Sequence, residues 1–484
     1  MKIIQKALIA SLFISAISTL LAENKRPNIL LVLTDDHSVP HVGCYDNPDI
    51  KTPNLDELAS KGMRFDKMFV TAPQCVPARA TIMTGISSVK SRMTRFSAPL
   101  DRSIITFPEI LRENGYYTGV VGRIYHLDGH NKIGSEATLS VFEEHNLVTF
   151  PDRLDFVKIA DGGVGHIDQF VEFLAARDSD GKGKKPWFCQ LSFDDPHRPL
   201  DSDAIPDKHD PDSLTLAPHM PDTPLVREDF ANYYDEISRF DGDFGTVMKI
   251  LEERGEDSNT VIVFMGDNGA ALLRAKGTLY EWGLNVPFIV RWDGHIKPGS
   301  VSGDLVTSED LGPTFLDIVG LEAPEIMEGP SFKSILETGK PENPREYFCA
   351  VRGTHGYNLP LHTADFDLSR CVRDERFKLI YNPLWQIEYT PVDIFGLEVW
   401  KDLVNKHAMG ELQEPWARIY FEQERSLFEL YDLEADPNEF ENLAGNPEYA
   451  EIELALKSKL HNWMVLNQDY VPLPISDFNP FLKR

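Results

Sequence analysis

Basic charge is what this chain has least of. Lys and Arg total 48 against 76 Asp and Glu in 484 residues, a formal charge of −28 at neutral pH. General nucleic-acid binding needs a basic footprint for phosphate, so that class is excluded. No basic amphipathic stretch is present to lie on a membrane surface. An anionic substrate stays open, because a local basic pocket can sit inside an acidic surface. Internal repeats and low-complexity segments are also missing. Apolar content of 42% and charged content of 26% are ordinary for a globular protein, and the length suits two domains.

Cysteine is scarce and odd in number: Cys44, Cys75, Cys189, Cys349 and Cys371. In an exported chain an odd count leaves at least one unpaired. Cys349 and Cys371 could bridge, with buried free thiols as the alternative. The N-terminus is the one place with a leader-like apolar run. Lys2 and Lys6 precede an apolar stretch over 7–22, which predicts a secretory signal at 1–22 and a periplasmic or secreted protein. Ser11, Ser15, Ser18 and Thr19 interrupt the run, and it is too short for a comfortable span, so no stable membrane insertion is expected.

Past the leader, short apolar runs alternate with helical patterns. Residues 28–34 form a continuous apolar run ended by Asp35-Asp36, and 260–265 form another ended by Gly266-Asp267-Asn268. Such runs suit strands buried on both faces of a parallel sheet. Further strands are predicted at 116–121, 187–193 and 286–290. Helices are predicted after Thr52-Pro53, with Thr52 as N-cap, and over 225–254. The sum is an α/β fold with a mainly parallel central sheet. Lys340 to Pro344 reads as a linker, which divides a larger domain at 24–340 from a smaller α+β domain at 341–484. The smaller domain carries strands near 347–351 and 377–381 and a helix near 449–465.

Ligands of open α/β sheets gather at the carboxyl ends of the strands, and that is where Asp35, Asp36, Asp267 and Asn268 fall. Their oxygens are hard donors suited to Ca²⁺ or Mg²⁺; turn or cap residues are the plainer alternative. Between them in sequence lies Cys75-Val76-Pro77-Ala78-Arg79, continued to Thr84-Gly85. Pro77 fits the first turn of a helix, and the helix start offers N–H groups and a positive dipole end to an anion. Arg123 and His126 follow one strand candidate, and His197 follows another.

Cys-X-Pro-X-Arg with the following Thr-Gly resembles the signature of type I sulfatases, whose cysteine is oxidised to formylglycine. Several other segments resemble that family. They are Gly122-Arg123 through His126, with Arg where the family carries Lys; Pro196-His197; Lys276-Gly277-Thr278-Leu279-Tyr280-Glu281; and Leu430-Tyr431-Asp432-Leu433 with Asp436-Pro437. The resemblance runs from about 28 to 444. It implies an alkaline-phosphatase-like fold and one divalent ion, Ca²⁺ ahead of Mg²⁺, held by Asp35, Asp36, Cys75 as formylglycine, Asp267 and Asn268. It also implies a formylglycine-generating or anaerobic sulfatase-maturating enzyme as partner, and a sulfated carbohydrate as substrate.

Within that scheme the hydrated formylglycine attacks sulfur. Arg79, Arg123 and Lys276 hold the sulfo oxygens, His197 or Lys276 protonates the leaving oxygen, and His126 takes a proton from the second hydroxyl so that sulfate departs. Trp282, His355 and Tyr357 are weaker candidates for the sugar site. The segment at 217–224 is similar to the N-sulfoglucosamine sulfohydrolase branch and related bacterial polysaccharide sulfatases. A phosphonate or phosphodiester hydrolase and a non-enzymatic sulfated-glycan binder are the competing readings.

Overall fold

The computed structural model describes residues 26–96, 99–123, 126–127, 136–158, 165–180, 185–355, 362–422 and 424–474. The expected leader at 1–22 and Tyr357 lie outside them. The predicted α/β architecture is what the chain adopts. The described residues include strands β1 (Asn28–Thr34), β2 (Met63–Phe65), β3 (Met68–Phe69), β4 (Tyr117–Val121), β5 (Phe156–Lys158), β6 (Trp187–Ser192), β7 (Thr260–Gly266), β8 (Phe288–Arg291), β9 (Ser300–Ser302), β10 (Val306–Thr307), β11 (Tyr347–Val351), β12 (Arg370–Asp374), β13 (Phe377–Tyr381) and β14 (Phe428–Asp432). Eight of them form one sheet in the order β5-β4-β6-β1-β7-β8-β2-β9. Pairing is parallel from β5 through β7, and β8 runs antiparallel to both its neighbours.

The strand period of two explains why β1 is apolar throughout. Ile29, Leu31 and Leu33 enter the core on one face, and Leu30 and Val32 enter the core on the other. β7 does the same, with Val261, Val263 and Met265 on the first face and Ile262 and Phe264 on the second. Each face is covered by helices, so neither can carry polar alternation. Helix α1 (Pro53–Lys61), α2 (Cys75–Thr84), α3 (Phe107–Glu113), α4 (His166–Ser179) and α5 (Pro224–Glu253) supply most of that cover.

The predicted long helix is unbroken. Thr223 caps α5 by accepting from the Val226 N–H, and Pro224 occupies its first turn. At α1 the expected Thr52 cap is replaced by a distant one. Thr52 holds the N-cap position without a side-chain cap bond, and its hydroxyl accepts from Gly43 N–H at 2.8 Å instead. Asp241, on α5, accepts from the N–H groups of Leu55 at 2.9 Å and Asn54 at 3.1 Å. One buried carboxylate thereby satisfies two orphan donors and docks α1 on α5.

A second, antiparallel sheet, β11-β12-β13-β14, carries α6 (Ala450–Leu466) on one face through Val372, Leu379, Leu456 and Leu460. Its other face presents Phe348, Ala350, Cys371 and Ile380 to the main core. Register decides the cysteine question. Cys349 pairs with Val372, and Cys371 with Ala350, so the two thiols lie one position out of step and enter the cores on opposite faces. All five cysteines are free, which corrects the possible Cys349–Cys371 bridge. Among the described residues no helix is long and apolar enough to cross a membrane.

Glu256 ties three elements at the opposite edge of the sheet from the candidate site. It accepts from Arg177 of α4 at 2.7 Å, from the Trp187 indole of β6 at 2.9 Å, and from Arg254 at 3.1 Å. Burial alone would raise its pKa; the hydrogen bonds from Arg177 and Trp187 and the nearby guanidinium charges outweigh it and hold it down at about 2, against an ordinary 4.5. A depressed carboxylate stabilises the fold above its unfolded pKa and loses that contribution as pH falls through its folded one. We therefore expect Glu256→Gln to lower unfolding free energy at neutral pH by about 3 kcal/mol at most. The gap from wild type should shrink as pH falls from about 4.5 toward 2, as read by urea titrations across that range.

Candidate active site

Four adjacent parallel strands, β4-β6-β1-β7, end at one edge of the sheet. The chain leaving each delivers one piece of the site: Arg123 and His126 after β4, Asp194 and His197 after β6, Asp35 and Asp36 after β1, Asp267 and Asn268 after β7. Helix α2 brings Cys75 to the same edge as its first residue. Its start is pinned by Gln74, whose amide donates to Thr354 O at 2.8 Å and accepts from Gly353 N–H at 3.2 Å. Gly122 turns the chain out of β4 at φ +71°, where a Cβ would stand 2.1 Å from Ser192 O, so a side chain there would clash with the neighbouring strand's exit.

The side chains interlock. Cys75 Sγ lies 3.2 Å from Asp35 Oδ1 and 3.9 Å from Asp36 Oδ1. The Arg79 guanidinium donates to Asp267 at 2.8 Å, to Ser192 Oγ at 2.8 Å and to Asp35 at 3.3 Å. Asn268 Nδ2 donates to Asp36 at 2.8 Å, and the Asp36 N–H donates to Asp267 Oδ1 at 3.1 Å. Lys276 Nζ reaches the Asp36 carboxylate at 2.8 Å. Arg123 sits 3.2 Å from Asp35 and also pairs with Asp194, and His126 Nδ1 is 3.7 Å from Asp35. His197 Nε2 is 3.8 Å from Asp36. The nucleophile, metal-ligand, arginine, histidine and lysine candidates from Asp35 to Lys276 thus meet in one cluster. One placement differs from expectation: all three arms of the buried Arg79 guanidinium are committed to Asp35, Asp267 and Ser192, so it frames the acids and is not turned to a ligand's sulfo oxygens.

Charge in this cluster is unbalanced in a way that asks for a cation. Asp35, Asp36 and Asp267 are fully buried side by side. Burial, opposed by Lys276 and reinforced by Asp35, pushes Asp36 up to about 7; burial and the Asp35 charge do the same to Asp267, also to about 7. Burial also works to raise Asp35, but Arg123, His197 and Arg79 outweigh it and hold it well below the carboxylate range. Asn268 Oδ1 is buried with no hydrogen-bond partner, an acceptor that protein donors have left open. Donor atoms of Asp35, Cys75, His126 and Asp267 lie within 4.8 Å of one another, as do those of Asp35, Asp36, Cys75 and His197. Three carboxylates and an unsatisfied amide oxygen are the hard donor set of a divalent metal, and this cluster could hold one.

The Cys75 thiol is held unreactive. Burial, with Asp35 beside it, raises its pKa well above the usual value, whereas reactive thiolates sit in electropositive surroundings. Burial lowers the pKa of both His126 and His197, with the Lys276 charge adding to the effect on His197, so both imidazoles are neutral near pH 7. His197 Nδ1 lies 2.5 Å from Arg198 O. That carbonyl accepts from Nδ1–H, which keeps its proton and leaves Nε2 as the exchanging atom.

Two functional positions were not singled out in the sequence. Asp393 accepts from Lys276 at 2.6 Å and lies 3.3 Å from His355 Nε2 and 3.9 Å from His197 Nε2. It sits in a turn with φ +59°, more than a hundred residues in sequence from Lys276 and the strand-edge acids, and no motif marks it. Asp194 was legible in principle, as an acid just past β6. The neighbouring motif residues turn away: Asp195 pairs with Arg239 and Arg198 with Asp229. Trp282 belongs to an aromatic cluster, with ring centroids 4.5 Å from His219 and 5.0 Å from His41, and does not face the site. His355 does.

The sulfatase family matches residues 27–321, and the C-terminal region of N-sulphoglucosamine sulphohydrolase matches 272–394 and 399–465. An ulvan-active sulfatase of Formosa agariphila is 28% identical, over 94% of this chain and 77% of its own. The human N-sulphoglucosamine sulphohydrolase is 26% identical, over 90% of this chain and 89% of its own. Among solved structures, a protein in complex with its substrate D-glucosamine-2-N,6-O-disulfate superposes with TM-score 0.68 at 22% identity, covering 93% of this chain and all of that one. The phosphonate monoester hydrolase of Silicibacter pomeroyi superposes at 0.66 with 20% identity, covering 92% and 96% of the two chains; at such identities both show the fold alone.

The cluster predicts its own metal dependence. Asp267→Asn keeps the shape and removes one charge; affinity for a divalent ion should fall by at least about 10-fold, the loss that even an outer-shell change brings, in isothermal calorimetry, with the metal-induced rise in Tm reduced in step. An unchanged affinity would remove Asp267 from the donor set. With the family match spanning the whole strand-edge constellation from Asp35 to Lys276, this chain belongs to the sulfatase family and is a sulfuric ester hydrolase.

Proposed function

We propose that the chain is an exported hydrolase of sulfate esters on carbohydrate, using formylglycine at position 75 and one divalent ion, Ca²⁺ by its hard donor set. One observation carries the reading: Asp35, Asp36, Cys75, Arg79, Asp267, Asn268 and Lys276, drawn from four separate stretches of sequence, share one buried cluster, with Cys75 Sγ 3.2 Å from Asp35. The suppressed thiol supports the same view, since a cysteine among carboxylates is a poor nucleophile until it is modified.

Asp35, Asp36, Asp267 and Asn268 would hold the ion. The ion and the hydrated formylglycine supply charge neutralisation and an attacking oxygen. The chain's own side chains do the rest. Arg79 fixes Asp35 and Asp267 in place. Arg123, about one-tenth exposed, and Lys276 face the incoming sulfo group and offset its charge. A sulfo group beside His197 raises the imidazole's pKa by its charge, and Nε2 then hands its proton to the sugar oxygen as the S–O bond breaks; Lys276 is the other donor in reach. His126, neutral and beside Asp35, takes the proton whose loss lets sulfate depart.

The second reading is N-sulfate hydrolysis, favoured by the match of residues 272–394 and 399–465 to the C-terminal region of N-sulphoglucosamine sulphohydrolase. O-sulfated polysaccharide or its fragments remains the first choice, in keeping with an exported chain. Phosphonate esters come third, on fold likeness alone.

Protein matured with a formylglycine-generating or anaerobic sulfatase-maturating enzyme, with position 75 checked by mass spectrometry, should release sulfate from one or more members of an O- and N-sulfated glycan panel. Cys75→Ala should lower kcat by about 10⁴-fold or more, the scale of removing a nucleophile. Undiminished turnover in that variant, or turnover of aryl phosphonates alone, would defeat the proposal.

A further inference from the structure

One cavity of about 110 Å³ lies away from the sheet edge, between the loop at 274–280 and the second sheet, with the exposed Arg418 and Asn442 in its lining. Arg352 lines it from the first residue past β11, and its side chain is fully buried. Its guanidinium rests over Gly277, Cζ 3.4 Å from where a Cβ on that glycine would stand. Gly277 has φ +73° and Val392 is closer still, at 2.4 Å from that point, so the glycine keeps the space for this arginine.

The guanidinium is only partly satisfied. One terminal nitrogen donates to Thr363 O at 3.1 Å and Ala364 O at 3.3 Å; Nε and the other terminal nitrogen have no partner. The nearby acids are engaged elsewhere. Asp367 is taken by Arg425, by Ser369 Oγ and by the Leu368 N–H. Asp393 is taken by Lys276 and His355. Arg425 and Arg274 line the same cavity together with Glu429 and Glu439; Glu429 is taken by Asn382, Tyr280 and Tyr431, and Glu439 by Lys378 and the Glu281 N–H. A buried cation with unmade hydrogen bonds is costly, and burial lowers the Arg352 pKa to about 10. A planar fork with two free N–H positions matches two oxygens of an oxyanion.

We propose that this cavity is a binding site for a small tetrahedral oxyanion of the sulfate class, held by the free Nε–H and N–H of Arg352. It is separate from the catalytic cluster: its lining holds none of Asp35, Asp36, Cys75, Asp267 and Asn268, and the Lys276 amine is taken by Asp36 and Asp393. It stands whether or not the sulfatase chemistry proposed above is right. Bound there, the anion would bridge the loop after β7 to the second sheet.

The test uses selenate as a sulfate mimic with an anomalous signal. Crystals of the full chain soaked in millimolar selenate should show an anomalous peak within hydrogen-bond distance of Arg352 Nε; water alone in the cavity overturns the proposal. In solution, sulfate should raise Tm in two phases, one per site, and Arg352→Gln should lose one phase and keep the other. Two phases retained in that variant also overturn it. Should Arg352→Gln fail to fold, the soak of wild-type protein decides.

Discussion

Three buried carboxylates side by side, two of them held by one buried guanidinium, set the terms for the rest of this molecule. Asp35, Asp36 and Asp267 are mutually repelling and stripped of water. Arg79 binds two of them and Ser192 in a single plane of donors, which fixes the spacing of the exits of β1, β6 and β7. The remaining imbalance is the site's asset. An unsatisfied amide oxygen and excess negative charge make the pocket a ready cation seat, and the cation in turn suits an anionic group.

That arrangement works only because the scaffold is rigid. β1 lies between β6 and β7 with paired neighbours along its length, and both of its faces are sealed by helices. A small shift in any exit loop would break several charged hydrogen bonds at once. The second domain is part of this scaffold. Its strand-end residues Gly353 and Thr354 grip Gln74 just before the cysteine helix, and its Asp393 grips Lys276. The pocket is complete only when both sheets are folded and docked.

Much of this was legible in the chain itself. Continuous apolar runs ended by Asp-Asp and Gly-Asp-Asn marked β1 and β7, because a strand buried on both faces must be apolar and its exit must be polar. The thirty-residue helix was legible from its apolar spacing, though not its Thr223 cap or whether it was broken. What escaped were short strands such as β2, β3 and β9, too brief to show a period, and the cap on α1, whose acceptor comes from Asp241 far along the chain. The cysteine pairing failed for a related reason: strand register, which decides which face each thiol takes, is not written in spacing.

Sequence by itself determined the α/β class, the strand-edge acids and the start of the cysteine helix, since each is a local pattern with a local physical cause; the Lys276 loop was legible only through its resemblance to the sulfatase family. Only tertiary structure decided that Arg79 frames acids, that Asp393 and Asp194 join the site, that Trp282 packs in an aromatic cluster, and that Arg352 faces an internal cavity with free donors. These depend on which loops meet after the two sheets dock. Charge partners are chosen by distance in space, and distance in sequence carries no record of it.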